Sequence, residues 1–170
     1  GEVPRRHRLV GVLVAGEREI DAVYRRTGSK AAMAVALDPR TGDVLAIAIR
    51  PTFNPNIFGE TPPREAVRNR AITDVFEPGS TLKLFIISAA LEENVIGPRS
   101  VVFCENGVYR VADRAFHDTK PHGWLSTAQV LKYSSNIGAA KIGERLGRPR
   151  LYRYLKCFGF GATTGVDLPG

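Results

Sequence analysis

The sequence predicts an α+β fold: one β-hairpin, then a mostly helical remainder with small β excursions. Three observations carry this reading. Two apolar runs, Ala31–Leu37 and Val44–Ile49, flank the turn-rich Asp38-Pro39-Arg40-Thr41-Gly42-Asp43. A long apolar segment follows from Ser80 to Glu93. Beyond it, Asn136–Leu146 and Leu151–Phe158 read as helices set apart by Gly147 and Pro149. At 170 residues and 44% hydrophobic, the chain has enough apolar material for a core of ordinary domain size.

Glu17–Arg26 reads as a short polar helix ended by Thr27-Gly28. The hairpin comes next, its turn set by proline, glycine and two aspartates. Its apolar runs are nearly continuous, so coverage on both faces is expected. A two-stranded hairpin is marginal alone, yet no further long strand is visible to pair with it. Pro51–Pro63 holds four prolines, two asparagines and a glycine, which makes it a loop. After Arg70–Glu77, Pro78-Gly79 forces a turn, so Ser80 falls in the first turn of the helix running to Glu93. That helix is apolar around most of its circumference and belongs in the middle of the domain. Asn94 and Gly97-Pro98 stop it. Val101–Glu105 and Val108–Val111 read as a small hairpin about Asn106-Gly107. Ser126 or Thr127 caps a short helix reaching Lys132, and the tail from Phe158 is loop.

The net charge is +7, but the arginines are scattered: Arg5, Arg6, Arg8, Arg25, Arg26, Arg64, Arg68, Arg70, Arg148, Arg150, Arg153. No basic stripe interleaves with aromatic stacking residues, so no nucleic-acid partner is expected. No run of 18 apolar residues occurs, so nothing reads as a membrane span. No CxxC or Cys/His spacing appears, and neither a metal nor a cofactor is expected. Cys104 and Cys157 read as small core residues, and His117 and His122 as loop histidines. Asp74 and Glu77 read as structural hydrogen-bond partners, and Tyr133 as a cleft-lining or packing residue.

Ser80-Thr81-Leu82-Lys83 carries the chemistry. A serine hydroxyl needs a base before it can attack. Positions i and i+3 share a helix face, so Lys83 Nζ can reach Ser80 Oγ. Leu82, Leu84 and Phe85 surround the amine with apolar groups, which favours its neutral, basic form. The same serine would also serve as an ordinary residue of a helix start. Ser134-Ser135-Asn136 lies further on, at another helix start. There Ser134 could relay a proton between Lys83 and a leaving group. The Asn136 amide could donate to a substrate carbonyl and hold Lys83. Helix capping by Ser135 or Asn136 explains the same residues without catalysis.

In order, these motifs resemble those of the serine penicillin-recognising enzymes: SxxK, SxN, then Lys-Thr/Ser-Gly. The chain is similar to the transpeptidase domain of class B penicillin-binding proteins, most of all the septal cell-division type, with the sporulation type close. The resemblance extends over RNRAITDVFEPGSTLK (Arg68–Lys83), VALDPRTGDVLAIAIRPTFNPN (Val35–Asn56), HGWLSTAQVLKYSSNIGAAKIGERLG (His122–Gly147) and FGFGATTGVDLPG (Phe158–Gly170). It implies the penicillin-binding/β-lactamase-like transpeptidase fold, present in part: the N-terminal hairpin of the sheet plus the helical subdomain. It also implies a catalytic set of Ser80, Lys83, Ser134 and Asn136. Ser80 is the nucleophile toward D-Ala-D-Ala stem peptides of peptidoglycan and toward β-lactams, and its backbone N–H is one oxyanion donor.

The third motif is missing: Arg26-Thr27-Gly28 and Arg40-Thr41-Gly42 precede Ser80, and Thr164-Gly165 follows Thr163 rather than lysine. Leu82 stands where the family often has Phe, an apolar exchange. The expected organisation is an unassigned leader over 1–15 and the N-terminal part of a transpeptidase domain over 16–170, truncated before Lys-Thr/Ser-Gly. Such a piece alone is expected to acylate poorly or not at all. The resemblance places the protein on the extracytoplasmic face of the bacterial plasma membrane, anchored by a segment outside this chain, with membrane division or elongation proteins as partners. Two other readings stay open. One is a D,D-carboxypeptidase or β-lactamase on the same scaffold, for which Glu144 is a poor water-activating residue. The other is a non-catalytic β-lactam sensor or division scaffold.

Overall fold

The computed structural model describes residues 5–57 and 63–168, and the side chains from residue 9 onward. These residues form two compact units, one up to Val75 together with Asp167 and Leu168, the other Phe76–Val166.

The first unit packs a helix on a hairpin. Helix α1 spans Arg5–Thr27, so it begins well before the expected Glu17. Gly11 and Gly16 weaken helix propensity there, and packing overrides them. A Cβ on Gly16 would sit 3.9 Å from Ala48 Cβ, so two small residues bring helix and sheet together. Gly28, at φ +60°, donates to Tyr24 O and ends the helix in the left-handed conformation that glycine tolerates.

Strands β1 (Ala32–Leu37) and β2 (Val44–Arg50) pair antiparallel, with Ala34 opposite Ala48 and Val35 opposite Ile47. Their turn is closed by Asp38, whose Oδ1 accepts from Arg40 N at 2.8 Å and whose O accepts from Gly42 N at 2.8 Å. Arg40-Thr41-Gly42 is therefore hairpin-turn sequence. Coverage of both faces is not what the hairpin shows: α1 covers the alanine face, while Val35 and Leu37 remain 48% and 55% exposed. Arg50 ties sheet to helix, its Nε donating to Asp21 Oδ1 at 3.0 Å and Nη2 to Glu17 Oε2 at 3.1 Å. The loop expected over Pro51–Pro63 is irregular through Ile57, and residues 58–62 lie outside the description. Two single-turn helices follow, α2 (Arg64–Val67) and α3 (Arg70–Thr73). Asp74 joins them structurally, accepting from Arg70 Nη1 at 2.9 Å and pairing with Arg68.

The second unit is built on α4 (Leu82–Glu92), entered through a 3₁₀ turn at Gly79–Thr81. Its Ile87, Ala89 and Ala90 are fully buried, but Leu84 is exposed, so the helix is embedded on one side only. Asn94, at φ 55°, ends it, and Val95 N reaches back to Ala90 O.

The sheet pairing here corrects the expected hairpin about Asn106-Gly107. Strand β3 (Val101–Phe103) pairs with β6 (Trp124–Ser126), and β4 (Val108–Val111) pairs with β5 (Arg114–His117). Glu105, Asn106 and Gly107 all have positive φ, at 50°, 50° and 100°. Three such residues make a left-handed turn that carries the chain from one sheet to the next instead of folding it back. The tight turn is at Ala112, φ 51°.

Helices α5 (Thr127–Lys132), α6 (Asn136–Leu146) and α7 (Arg148–Cys157) complete the unit. Ser126 caps α5 in a reciprocal box with Gln129. Helix α7 starts earlier than the expected Leu151, because Pro149 falls in its first turn, where a proline is favoured. Val102, Val130, Ile137 and Ile142 fill the core with Ile87. Phe85 meets Phe158 and Phe160 edge-on at 4.9 and 5.0 Å. Both cysteines are free; Cys104 is buried as expected, whereas Cys157 is exposed.

Candidate active site

Gly79 begins the site. Its φ of +57° turns the chain sharply into the 3₁₀ turn and leaves Ser80 exposed at the helix entrance. Lys83 lies one turn on and points inward, only 8% exposed. From there Nζ donates to Ser80 Oγ at 3.2 Å. The i,i+3 spacing thus does bring the amine to the hydroxyl.

The second motif arrives from the α5–α6 junction. Tyr133 N and Ser134 N close off α5 on Gln129 O and Leu131 O, and Ser134 then takes a positive φ of 55°. In that conformation both its carbonyl and its hydroxyl face Lys83: Nζ donates to Ser134 O at 2.5 Å and to Ser134 Oγ at 2.9 Å. Ser134 Oγ also donates to Ser80 Oγ at 2.9 Å. Ser80, Lys83 and Ser134 form a closed triangle of two hydroxyls and an amine. Burial pulls the Lys83 pKa below that of a free lysine, while the negative charge of Asp118 pulls the other way. The amine is therefore easier to deprotonate than a surface lysine.

Asn136 is beside the triangle rather than in it. Its Nδ2 donates to His117 O at 2.7 Å, and it is not among the partners of Lys83. The expectation that Asn136 holds the lysine gives way: Ser134 and Ser80 accept all three ammonium protons. Ser135, the buried middle residue, caps α6, its Oγ accepting from Gly138 N at 2.8 Å.

Asp118 went unread in the sequence. Its Oδ2 accepts from Ser135 Oγ at 2.6 Å, and its Oδ1 accepts from the backbone N–H of Asn136 at 2.5 Å and of Ile137 at 3.1 Å. No local spacing signals this, since all three partners lie on a different element.

A cavity of about 410 Å³ opens beside Lys83, walled by Leu82, Ile86, Phe116, Ala139 and Ala140, with Asn136 and His117 as its polar rim. A second cavity, of about 610 Å³, is lined by Asp118, Thr119, Lys120, His122 and Tyr133, with the His122 and Tyr133 rings stacked 5.0 Å apart. Tyr133 thus lines a cleft as well as packing. Among the described residues no three His, Cys, Asp or Glu side chains gather as a metal set. Glu144 accepts from Tyr109 OH at 3.0 Å.

The fold and the serine–lysine–serine arrangement define a domain of the penicillin-binding transpeptidase type. The chain matches the Penicillin binding protein transpeptidase domain family over residues 32–170 and belongs to that family, with class B relatives. It is 35% identical over 156 residues to Stage V sporulation protein D of Bacillus subtilis, covering 91% of this chain and 24% of that protein. It is 37% identical over 154 residues to peptidoglycan D,D-transpeptidase FtsI of Escherichia coli, covering 90% of this chain and 26% of that protein. The chain therefore spans about a quarter of the length of these curated relatives. The TP domain of Burkholderia pseudomallei penicillin-binding protein 3 superposes with a TM-score of 0.82 at 29% identity, covering 95% of this chain and 44% of that one.

Proposed function

We propose that this chain carries the acylation centre of a serine D,D-transpeptidase that cross-links peptidoglycan. The observation that carries the proposal is the triangle of Ser80 Oγ, Lys83 Nζ and Ser134 Oγ, each within 3.2 Å of the next.

The neutral Lys83 amine accepts the Ser80 proton, and Oγ attacks the carbonyl between the two terminal D-alanines of a stem peptide. The ammonium so formed is held by Ser134 O and Oγ. Ser134 passes a proton from Lys83 to the departing amine, and D-alanine leaves. An amine of a neighbouring stem then attacks the ester on Ser80, returning the proton along the same path. A β-lactam acylates Ser80 by opening its ring. Asn136 presents its side chain at the rim of the cavity beside Ser80 and serves the peptide rather than the lysine.

The proposed setting is the extracytoplasmic face of the plasma membrane, with division, sporulation or elongation proteins as partners. Among the described residues no helix is long and apolar enough to cross a membrane.

The test is release of D-alanine from a stem pentapeptide by the full-length protein, with and without a peptide amine acceptor. Cross-linked product that rises with acceptor concentration is expected. Free tetrapeptide alone would favour a carboxypeptidase, and stoichiometric acylation without turnover would favour a sensor.

A further inference from the structure

The hydrogen bonds around the second motif converge on one carboxylate. Asp118 follows β5 directly and binds the first turn of α6 at three points, the Ser135 hydroxyl and the N–H groups of Asn136 and Ile137. Ser135 is in turn fixed from below, donating from its backbone to Val130 O and capping Gly138. Ser134 is the residue immediately before this clamp. It holds a positive φ of 55°, which a non-glycine residue adopts only when its surroundings impose it.

We propose that Asp118 is a positioning residue for acyl transfer, clamping the Ser135–Ile137 turn so that Ser134 presents both its carbonyl and its hydroxyl to Lys83. The proposal rests on the reading of Ser80, Lys83 and Ser134 as the acylation centre. Asp118 acts through Ser134 and does not touch Ser80. Its second effect is electrostatic: the carboxylate favours the ammonium form of Lys83 and offsets part of the burial that favours the amine.

Other charges around Lys83 do not duplicate this role. His117 lines the same cavity and contributes its carbonyl to Asn136. On α6, Lys141 is engaged by Glu105 and Glu144 by Tyr109; on α7, Arg150 and Arg153 are engaged by Glu93. On α5, Lys132 lies over the Tyr133 ring.

Two variants separate the clamp from the charge. Asp118→Asn keeps an oxygen for the two N–H groups and an amide to donate to Ser135 Oγ, but removes the charge. Asp118→Ala removes both. The Lys83 side chain is followed by ¹³C NMR of lysine-labelled protein against pH, its resonance assigned with Lys83→Met. In Asp118→Asn the Lys83 midpoint is expected to fall, because the carboxylate that favours the ammonium is gone, moving the acid limb of acylation to lower pH. In Asp118→Ala the rate of acylation by benzylpenicillin is expected to fall by about 100-fold, as for a displaced catalytic group. A wild-type acylation rate in Asp118→Ala overturns the proposal, and a Lys83 midpoint unmoved in Asp118→Asn overturns its electrostatic part. If wild-type protein is not acylated while Asp118→Asn still lowers the midpoint, the functional reading fails and only the charge effect of Asp118 on Lys83 stands.

Discussion

Lys83 Nζ and Ser134 meet twice, at 2.5 Å through the Ser134 carbonyl and at 2.9 Å through its hydroxyl. The two contacts have different jobs. A carbonyl only accepts, so it anchors the lysine in either protonation state. A hydroxyl both accepts and donates, and with Ser80 Oγ 2.9 Å away it completes a proton path.

Ser134→Ala removes the path and keeps the anchor. Acylation is expected to fall by about 10²- to 10³-fold, with thermal stability nearly unchanged. Stopped-flow acylation by a chromogenic β-lactam, beside a melting curve, checks both halves.

Lys83→Met separates function from stability. Burial lowers the Lys83 pKa in the folded protein, whereas the unfolded chain protonates it at its ordinary value of 10.5. Below the folded pKa, burying the ammonium lowers stability. That penalty fades as pH rises toward the unfolded value. Methionine has similar length and no charge, so the variant should melt no lower than wild type at pH 7. Its stability advantage should shrink toward pH 10, and acylation should be lost. A large drop in melting temperature at pH 7 would contradict this.

Gly138 lets α6 approach α5. A Cβ there would lie 2.6 Å from Val130 Cγ2 and 3.2 Å from Ser135 Oγ. Gly138→Ala is expected to destabilise by about 1–3 kcal/mol through overpacking. Adding Val130→Ala removes the nearest clash, so urea titrations of the single and double variants should show non-additive losses.

Ser126→Ala breaks the reciprocal cap of α5, in which Ser126 Oγ accepts from Gln129 N and Gln129 Oε1 accepts from Ser126 N. The expected cost is about 1 kcal/mol in urea unfolding.

What the sequence revealed follows the range of the interactions involved. The Ser80–Lys83 pairing was legible because both residues lie on one helical turn. The bounds of α6 were legible because Ser135 before it and Gly147 after it are local signals. The pairing of β3 with β6 was not, since Val101 finds Ser126 across an intervening hairpin and Asn106-Gly107 offers a more familiar turn. Asp118 was hidden for the same reason: its partners are on α6, and no spacing marks a carboxylate that caps a distant turn. Asn136 was over-read. Its Oδ1 could accept from a lysine, but Lys83 donates to Ser80 and Ser134 instead, while the Asn136 Nδ2 donates to the His117 carbonyl.

The most direct test of the account is intact-mass spectrometry of the full-length protein after incubation with excess benzylpenicillin, on wild type and on Ser80→Ala. The account predicts one penicilloyl adduct on wild type, located by peptide mapping at Ser80, and none on Ser80→Ala. No adduct on wild type, or an equal adduct on Ser80→Ala, would contradict it.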